Sequence, residues 1–113
     1  LPRAVRFYDA LFAACGATRL MEADRMIAWG TSMAAPMLAV CTPFDGKTAT
    51  AGNGTMISIG ANDKAQVDAL YRKALELGAT DEGAPGPRGP GGVFYIGYFR
   101  DPDHNKLNFF CMN

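Results

Sequence analysis

The chain has 113 residues, with eleven basic and eleven acidic side chains, and about half of its residues are hydrophobic. This length and composition predict one domain with enough apolar side chains for a core, and the balanced charge lacks the basic footprint of a nucleic-acid-binding protein. No apolar run is long enough to cross a bilayer and no signal peptide is visible, so we expect a cytoplasmic protein that does not enter membranes. Cys15, Cys41 and Cys111 stand among apolar neighbours and are interpreted as small buried hydrophobes in a reducing compartment.

The first half of the chain predicts one helix followed by three short strands. Apolar residues recur at helical spacing over residues 2–15. Strands are expected at Thr18–Ala23, Met26–Gly30 and residues 37–42, because residues 23–24 and 32–36 interrupt the pattern with turn-forming types.

The second half predicts the same order with one more strand in front. Residues 55–60 alternate as a strand, and Asp63 with Gln66 has the spacing of a capping box at the start of a helix near 63–77. A short strand is expected near 80–82. Residues 83–92 are mostly glycine and proline, so they predict a loop that forms no ladder. Residues 93–112 predict a closing hairpin, whose turn is rich in Asp and Asn.

The two halves repeat each other. The predicted helices are followed by similar short sequences, CGAT at residues 15–18 and LGAT at residues 77–80, and three strands come after each of them. The pseudo-repeats therefore span about 1–44 and 53–113. The second has a leading strand at 55–60, and we expect the matching strand of the first to lie before Leu1.

Four local motifs carry a resemblance to a known family. They are RFYD at residues 6–9, NGTM at 53–56, GAPGPR at 83–88 and DPDHNKLN at 101–108. Together with the doubled unit, they resemble the vicinal oxygen chelate superfamily, which includes glyoxalase I, bleomycin resistance proteins and extradiol dioxygenases. The resemblance implies a single α+β domain over residues 1–113. Its two β-α-β-β-β units would form a curved, U-shaped mixed sheet around a ligand cavity, with the helices outside.

The resemblance also implies positions for a metal ion, which many members bind through residues on four strands. Those positions fall on Ala39, Met56 and Asn108, with a fourth expected before Leu1. A methyl group, a thioether and a neutral amide are poor ligands for Zn²⁺, Fe²⁺ or Mn²⁺. The single histidine, His104, lies in the Asp- and Asn-rich turn and is interpreted as a solvated turn residue. We therefore expect no metal and no other cofactor.

Strand alternation divides the side chains between the two faces of the sheet. Leu38, Val40, Ile57, Ile59, Leu107 and Phe109 are expected to face the helices, whereas Ala39, Cys41, Met56, Ser58, Asn108, Phe110 and Met112 are expected to face the concave side. The candidate ligand-binding residues are Ala39, Met56, Ser58, Asn108, Phe110, Trp29, Tyr95 and Arg88.

Three of these candidates have competing interpretations. Trp29 is either a stacking surface for a planar ligand or a core residue. Only one of Tyr95 and Tyr98 can face the concave side, because they differ in parity along their strand. Arg88 either binds an anion or is a solvated loop residue.

The sequence favours metal-independent binding of a small, largely apolar or aromatic molecule in the concave sheet. Two alternatives remain open at this point. One is a divalent-metal-dependent lyase or dioxygenase with non-standard ligands. The other is a scaffold whose cavity is filled by its own Met and Phe side chains. The unpaired edge of the first unit also predicts a homodimer, with strand exchange as one form of it.

Overall fold

A computed structural model describes all residues, Leu1 to Asn113. The elements are α1 (Pro2–Ala13), β1 (Thr18–Ala23), β2 (Met26–Gly30), β3 (Leu38–Cys41), β4 (Ile57–Gly60), α2 (Lys64–Glu76), β5 (Thr80–Arg88), a 3-10 turn (Pro90–Gly92), β6 (Phe94–Arg100) and β7 (Lys106–Met112). The chain divides into two compact units, which we call unit 1 (Leu1–Thr50) and unit 2 (Ala51–Asn113). The order α-β-β-β followed by β-α-β-β-β confirms the predicted α+β class. Neither helix is long and apolar enough to cross a membrane.

In unit 1, α1 packs on an antiparallel sheet of order β1-β2-β3. The apolar stripe of α1 is buried, as its helical spacing predicts. Trp29 on β2 lies against this stripe, with ring centroids 5.6 Å from Tyr8 and 5.9 Å from Phe12. Its indole nitrogen donates to Asp9 Oδ1 at 2.9 Å, and its side chain is 2% exposed. Trp29 is therefore a core residue, and its interpretation as a stacking surface for a ligand is wrong.

In unit 2, four strands form a mixed sheet of order β4-β7-β6-β5. β4 runs parallel to β7, and the other neighbours are antiparallel. One face of the sheet packs on α2, and we call it the helix face. Its central side chains, Phe99, Leu107 and Phe109, are fully buried, as is Val67 of α2. The prediction that Leu107 and Phe109 face a helix is confirmed.

The start of α2 follows from its sequence. Asp63 is the N-cap, and its carboxylate accepts from the Gln66 backbone N–H at 2.8 Å. The Gln66 side chain reaches back to accept from the Asn62 N–H at 2.6 Å. These bonds satisfy donors that have no partner inside the helix, as in a capping box.

Residues 83–88 of the glycine- and proline-rich segment belong to a strand, so the prediction of a loop is wrong for them, whereas residues 89–92 lie outside the strands. β5 extends to Arg88, and its last residues pair with the start of β6, Pro87 opposite Tyr95 and Arg88 opposite Phe94. Two register shifts interrupt the pairing before Gly86. The strand tolerates proline because it lies at the edge of the sheet, where a missing N–H disrupts no second ladder.

The turn between β6 and β7 is organised by Asp101, which is 1% exposed. Its Oδ1 accepts from the backbone N–H groups of Asp103 and Asn105, both at 2.9 Å. His104 has a positive φ of 69°. This conformation is costly for a residue with a Cβ and is eased by the closed turn around it.

The prediction that Ile57 packs on a helix is wrong, because Ile57 lies at the edge of the sheet. Ile57 was expected to pack on a helix, but it begins edge strand β4 and is 47% exposed. α2 packs mainly on β6, β7 and β5. Alternation gave the side of the sheet, but it could not show that the helix does not cover this edge.

Candidate ligand-binding face

The strand register separates the side chains of unit 2 into two sets. Tyr98 lies opposite Asn108, Ile96 opposite Phe110 and Phe94 opposite Met112. Tyr95, Gly97 and Phe99 alternate with this set and face α2, because the Tyr95 hydroxyl donates to Asp68 Oδ1 on that helix at 2.7 Å. We call the side of the sheet away from α2 the open face. Its side chains include Ser58, Phe94, Ile96, Tyr98, Asn108, Phe110 and Met112.

This register corrects the assignment of Tyr95 as a ligand-binding residue. Its hydroxyl is bonded to Asp68, which is the main cause of a raised Tyr95 pKa, and Lys64 Nζ lies 5.6 Å from its ring centroid. Both partners belong to α2. Tyr98, the other candidate on this strand, is the tyrosine of the open face.

Asn108 is the central polar side chain of the open face. Its amide Nδ2 donates to Ser58 Oγ at 2.9 Å and contacts Met56 Sδ at 3.3 Å. The residue is 1% exposed, and its Oδ1 is buried without a hydrogen-bond partner. A buried acceptor in this state costs about 1–3 kcal/mol. The amide nitrogen thus holds Asn108 to Ser58 and Met56, while the amide oxygen can still accept a hydrogen bond from another donor.

Apolar side chains surround this polar cluster. Phe110, half-buried, contacts Phe94 edge-to-face with ring centroids 6.4 Å apart. Gly60 lies opposite Phe110 on β4, where a Cβ would come within 3.8 Å of the Phe110 ring. Met56 and Met112 are 46% and 61% exposed. Exposed apolar side chains adjoining a few polar groups are typical of ligand-binding surfaces.

Arg88 is the last residue of β5 rather than part of a free loop. Its guanidinium donates to the carbonyl oxygens of Ala84 at 2.7 Å and Pro87 at 3.1 Å. The guanidinium carbon also lies 5.7 Å from the Tyr98 ring centroid. The interpretation of Arg88 as a solvated loop residue is therefore wrong.

The structure brings together four of the predicted residues, Met56, Ser58, Asn108 and Phe110, within unit 2. Ala39 lies in unit 1, where it is exposed on β3 opposite Ala28. Several residues of the open face were not among the predicted ligand-binding residues; they include Phe94, Ile96, Tyr98, Lys106 and Met112. Their signal was present in the hairpin, because counting pairs outward from the Asp101–Asn105 turn places Tyr98 opposite Asn108.

The side chains at the expected metal positions of unit 2 do not fit a divalent ion. Met56 offers a thioether and Asn108 an amide, and the adjoining Ser58, which is not one of these positions, offers a hydroxyl. Ions such as Zn²⁺ and Fe²⁺ prefer imidazole, carboxylate and thiolate ligands. The structure contains no group of three or more His, Cys, Asp or Glu side chains placed to hold a metal.

Comparisons with known proteins agree with this fold. A glyoxalase/bleomycin resistance protein from Albidiferax ferrireducens T118 is 32% identical with a TM-score of 0.85, over 97% of this chain and 88% of that one. A hypothetical protein from S. aureus is 26% identical with a TM-score of 0.72, over 97% and 84%. A lactoylglutathione lyase from Agrobacterium tumefaciens is 24% identical with a TM-score of 0.67, over 97% and 84%, a likeness of fold alone. No curated protein matches the chain significantly.

The model of one protein family matches almost the whole chain, residues 1–109. The match covers both units and includes the residues of the open face up to Asn108. The chain belongs to the Glyoxalase/Bleomycin resistance protein/Dioxygenase superfamily.

Proposed function

We propose that the open face binds a small, largely apolar or aromatic molecule without the help of a metal ion. Phe94, Phe110 and Met112 supply the apolar contacts, and Asn108 with Ser58 supplies the polar ones. The proposal includes the loss of the family's metal ligands at Met56 and Asn108.

The observation that carries this proposal is the state of Asn108. A buried amide oxygen without a partner lowers stability, and an apolar side chain at a buried position does not carry that cost. Met56 lies against the nitrogen of the same amide, and a ligand that displaces Met56 and directs an N–H or O–H group at the amide oxygen would give that oxygen its missing donor. The half-exposed Met56 side chain is flexible, which suits it to such movement.

Binding is tested with N-phenyl-1-naphthylamine, a neutral aromatic probe with one N–H donor, whose fluorescence rises in apolar surroundings. The protein is first treated with a chelator. We expect saturable binding, and Phe110→Ala should weaken it by about tenfold, since burying a Phe side chain contributes roughly 1.5–3 kcal/mol.

Met33→Ala is the matched control, because Met33 is a 64% exposed apolar residue of unit 1. The proposal fails if the probe does not saturate or if both variants weaken it equally. Absence of binding favours a scaffold, and binding that appears only after metal is added favours a metal-dependent lyase or dioxygenase.

We also propose that the protein forms homodimers, with strand exchange as one form of association. β3 and β4 are edge strands of their sheets, and β4 presents the exposed Ile57. Unpaired strand edges are templates for pairing with another chain. Light scattering is expected to give twice the mass of the chain, and a monomer at high micromolar concentration contradicts it.

The three free cysteines suit a cytoplasmic location, which a cell-fractionation experiment tests.

A further inference from the structure

Lys106 lies on the open face beside the apolar patch. It opens β7 two residues before Asn108, and its ammonium nitrogen lies 5.5 Å from the Tyr98 ring centroid. The ammonium group makes no ion pair in the chain. Glu82 has its pKa lowered mainly by its hydrogen bond from Arg100, at 2.7 Å, with a smaller through-space effect of Lys106. The charge of Lys106 is therefore not matched by a carboxylate of its own.

Arg88 is a second cation at the same tyrosine without a carboxylate partner. Its guanidinium bonds only to backbone carbonyl oxygens. The Arg88 guanidinium reaches Tyr98 because the residues of β5 that it passes, Gly83 and Gly86, have no side chains. A Cβ at Gly86 would lie 2.9 Å from Arg88 Nη1, and one at Gly83 would lie 3.2 Å from Tyr98 Cδ2. The missing side chains of β5 thus make room for the guanidinium on the open face.

These two cations border the binding residues described above. Tyr98 is paired with Asn108 in the register, and Arg88 is paired with Phe94. The neighbouring open-face side chains Ser58, Asn108 and Phe110 carry no charge. The open face therefore has an apolar region that meets a positively charged border at Tyr98.

We infer that the ligand of the open face is an organic anion, whose apolar body lies on Phe94 and Phe110 while its anionic group lies beside Tyr98 between Lys106 and Arg88. This inference rests on the proposed function. A carboxylate, sulfonate or phosphate is negatively charged and would pair with both cationic side chains. A cationic ligand would be repelled by them, and the ring of Tyr98 already has cations of the protein beside it.

A matched pair of probes tests the charge separately from the apolar body. 8-Anilinonaphthalene-1-sulfonate carries a sulfonate on nearly the same ring skeleton as neutral N-phenyl-1-naphthylamine. Lys106→Gln is expected to weaken the sulfonate probe by about three- to tenfold, the range of a partly exposed charge-assisted contact, and to leave the neutral probe within about twofold. Raising the salt concentration should weaken the sulfonate probe only.

Lys64→Gln is the matched control. Lys64 Nζ lies 5.6 Å from the Tyr95 ring on the helix face, so it makes the same kind of contact away from the open face. This variant should bind both probes as the wild type does. Arg88→Gln should reproduce the selective loss, which provides a second measurement if Lys106→Gln does not fold.

The outcomes separate the two proposals. If neither probe binds the wild type, the proposed function fails. If both probes bind, but neither Lys106→Gln nor Arg88→Gln weakens the sulfonate probe more than the neutral one, binding stands and the inference about charge is overturned. The inference is also overturned if Lys64→Gln weakens the sulfonate probe selectively. The weakening would then depend on the net charge of the protein and not on the two cations of the open face.

Discussion

Replacing Asn108 with leucine should stabilise the protein while weakening ligand binding. Leucine has the same branching and the same number of side-chain heavy atoms as asparagine, although its methyl groups are bulkier, and it has no polar atoms. The replacement removes the buried Oδ1 that has no partner, together with the Nδ2 bond to Ser58 Oγ at 2.9 Å and the contact with Met56 Sδ. Ser58 and Met56 are exposed, so water can solvate the hydroxyl that the amide leaves.

The magnitude follows from these contacts. Removing the unpaired acceptor gains about 1–3 kcal/mol, and losing the Ser58 bond costs about 0.5–1.5 kcal/mol. Burying a leucine side chain contributes roughly 1.5–3 kcal/mol, from which about 1–3 kcal/mol is lost if the branched side chain fits imperfectly. We expect the free energy of unfolding to rise by about 1–2 kcal/mol, and the melting temperature by about 3–8 °C.

Urea unfolding followed by far-UV circular dichroism measures this change. Trp29 fluorescence is unsuitable, since Trp29 is in unit 1 and Asn108 is in unit 2. Ser58→Ala is the control, because it removes the hydroxyl and leaves the amide, and it should lower the free energy of unfolding by about 1 kcal/mol or less. A loss of more than about 1 kcal/mol in Asn108→Leu would refute the reasoning, since it would mean that the amide is fully satisfied in the free protein.

Three further predictions concern other parts of the chain. The pKa of Asp9 is lowered chiefly by its hydrogen bond from Arg19, so its carboxylate stabilises the fold above about pH 4 and stops doing so as the pH falls through its lowered value. Asp9→Asn should therefore lower the free energy of unfolding at pH 7 by no more than about 1 kcal/mol, because the pair is partly exposed, and have no effect near about pH 2, as urea titrations at the two pH values will show. His104→Gly should raise the free energy of unfolding by about 1 kcal/mol in urea titrations, because it relieves the positive φ of 69°, and a decrease would contradict this. A thiol reagent should label exposed Cys41 first and buried Cys111 only on unfolding, as mass spectrometry of the labelled peptides will show.

Much of the fold could be predicted because local signals agree with the final structure. Both helices have strong apolar periodicity and end near glycine, and their observed bounds lie within a few residues of the prediction. β5 was missed for the opposite reason. Its glycine and proline residues predict a loop locally, and only the position of the strand at a sheet edge makes pairing possible.

The site was predictable only in part, because its residues depend on pairing between strands. Met56, Ser58 and Asn108 follow from alternation together with the family resemblance, and the structure places them in contact. The face of Tyr95 depends on hairpin register. The burial of Trp29 depends on α1 packing over β2, which no local pattern specifies.

The central claim is that the open face binds its ligand without a metal ion, and one titration tests it directly. N-phenyl-1-naphthylamine is titrated into protein dialysed against EDTA, and again after addition of Zn²⁺, Mn²⁺ or Fe²⁺. The account predicts the same dissociation constant in every titration, since Met56 and Asn108 offer no imidazole or carboxylate to an ion. Binding that is lost in EDTA and restored by one of these ions would contradict it.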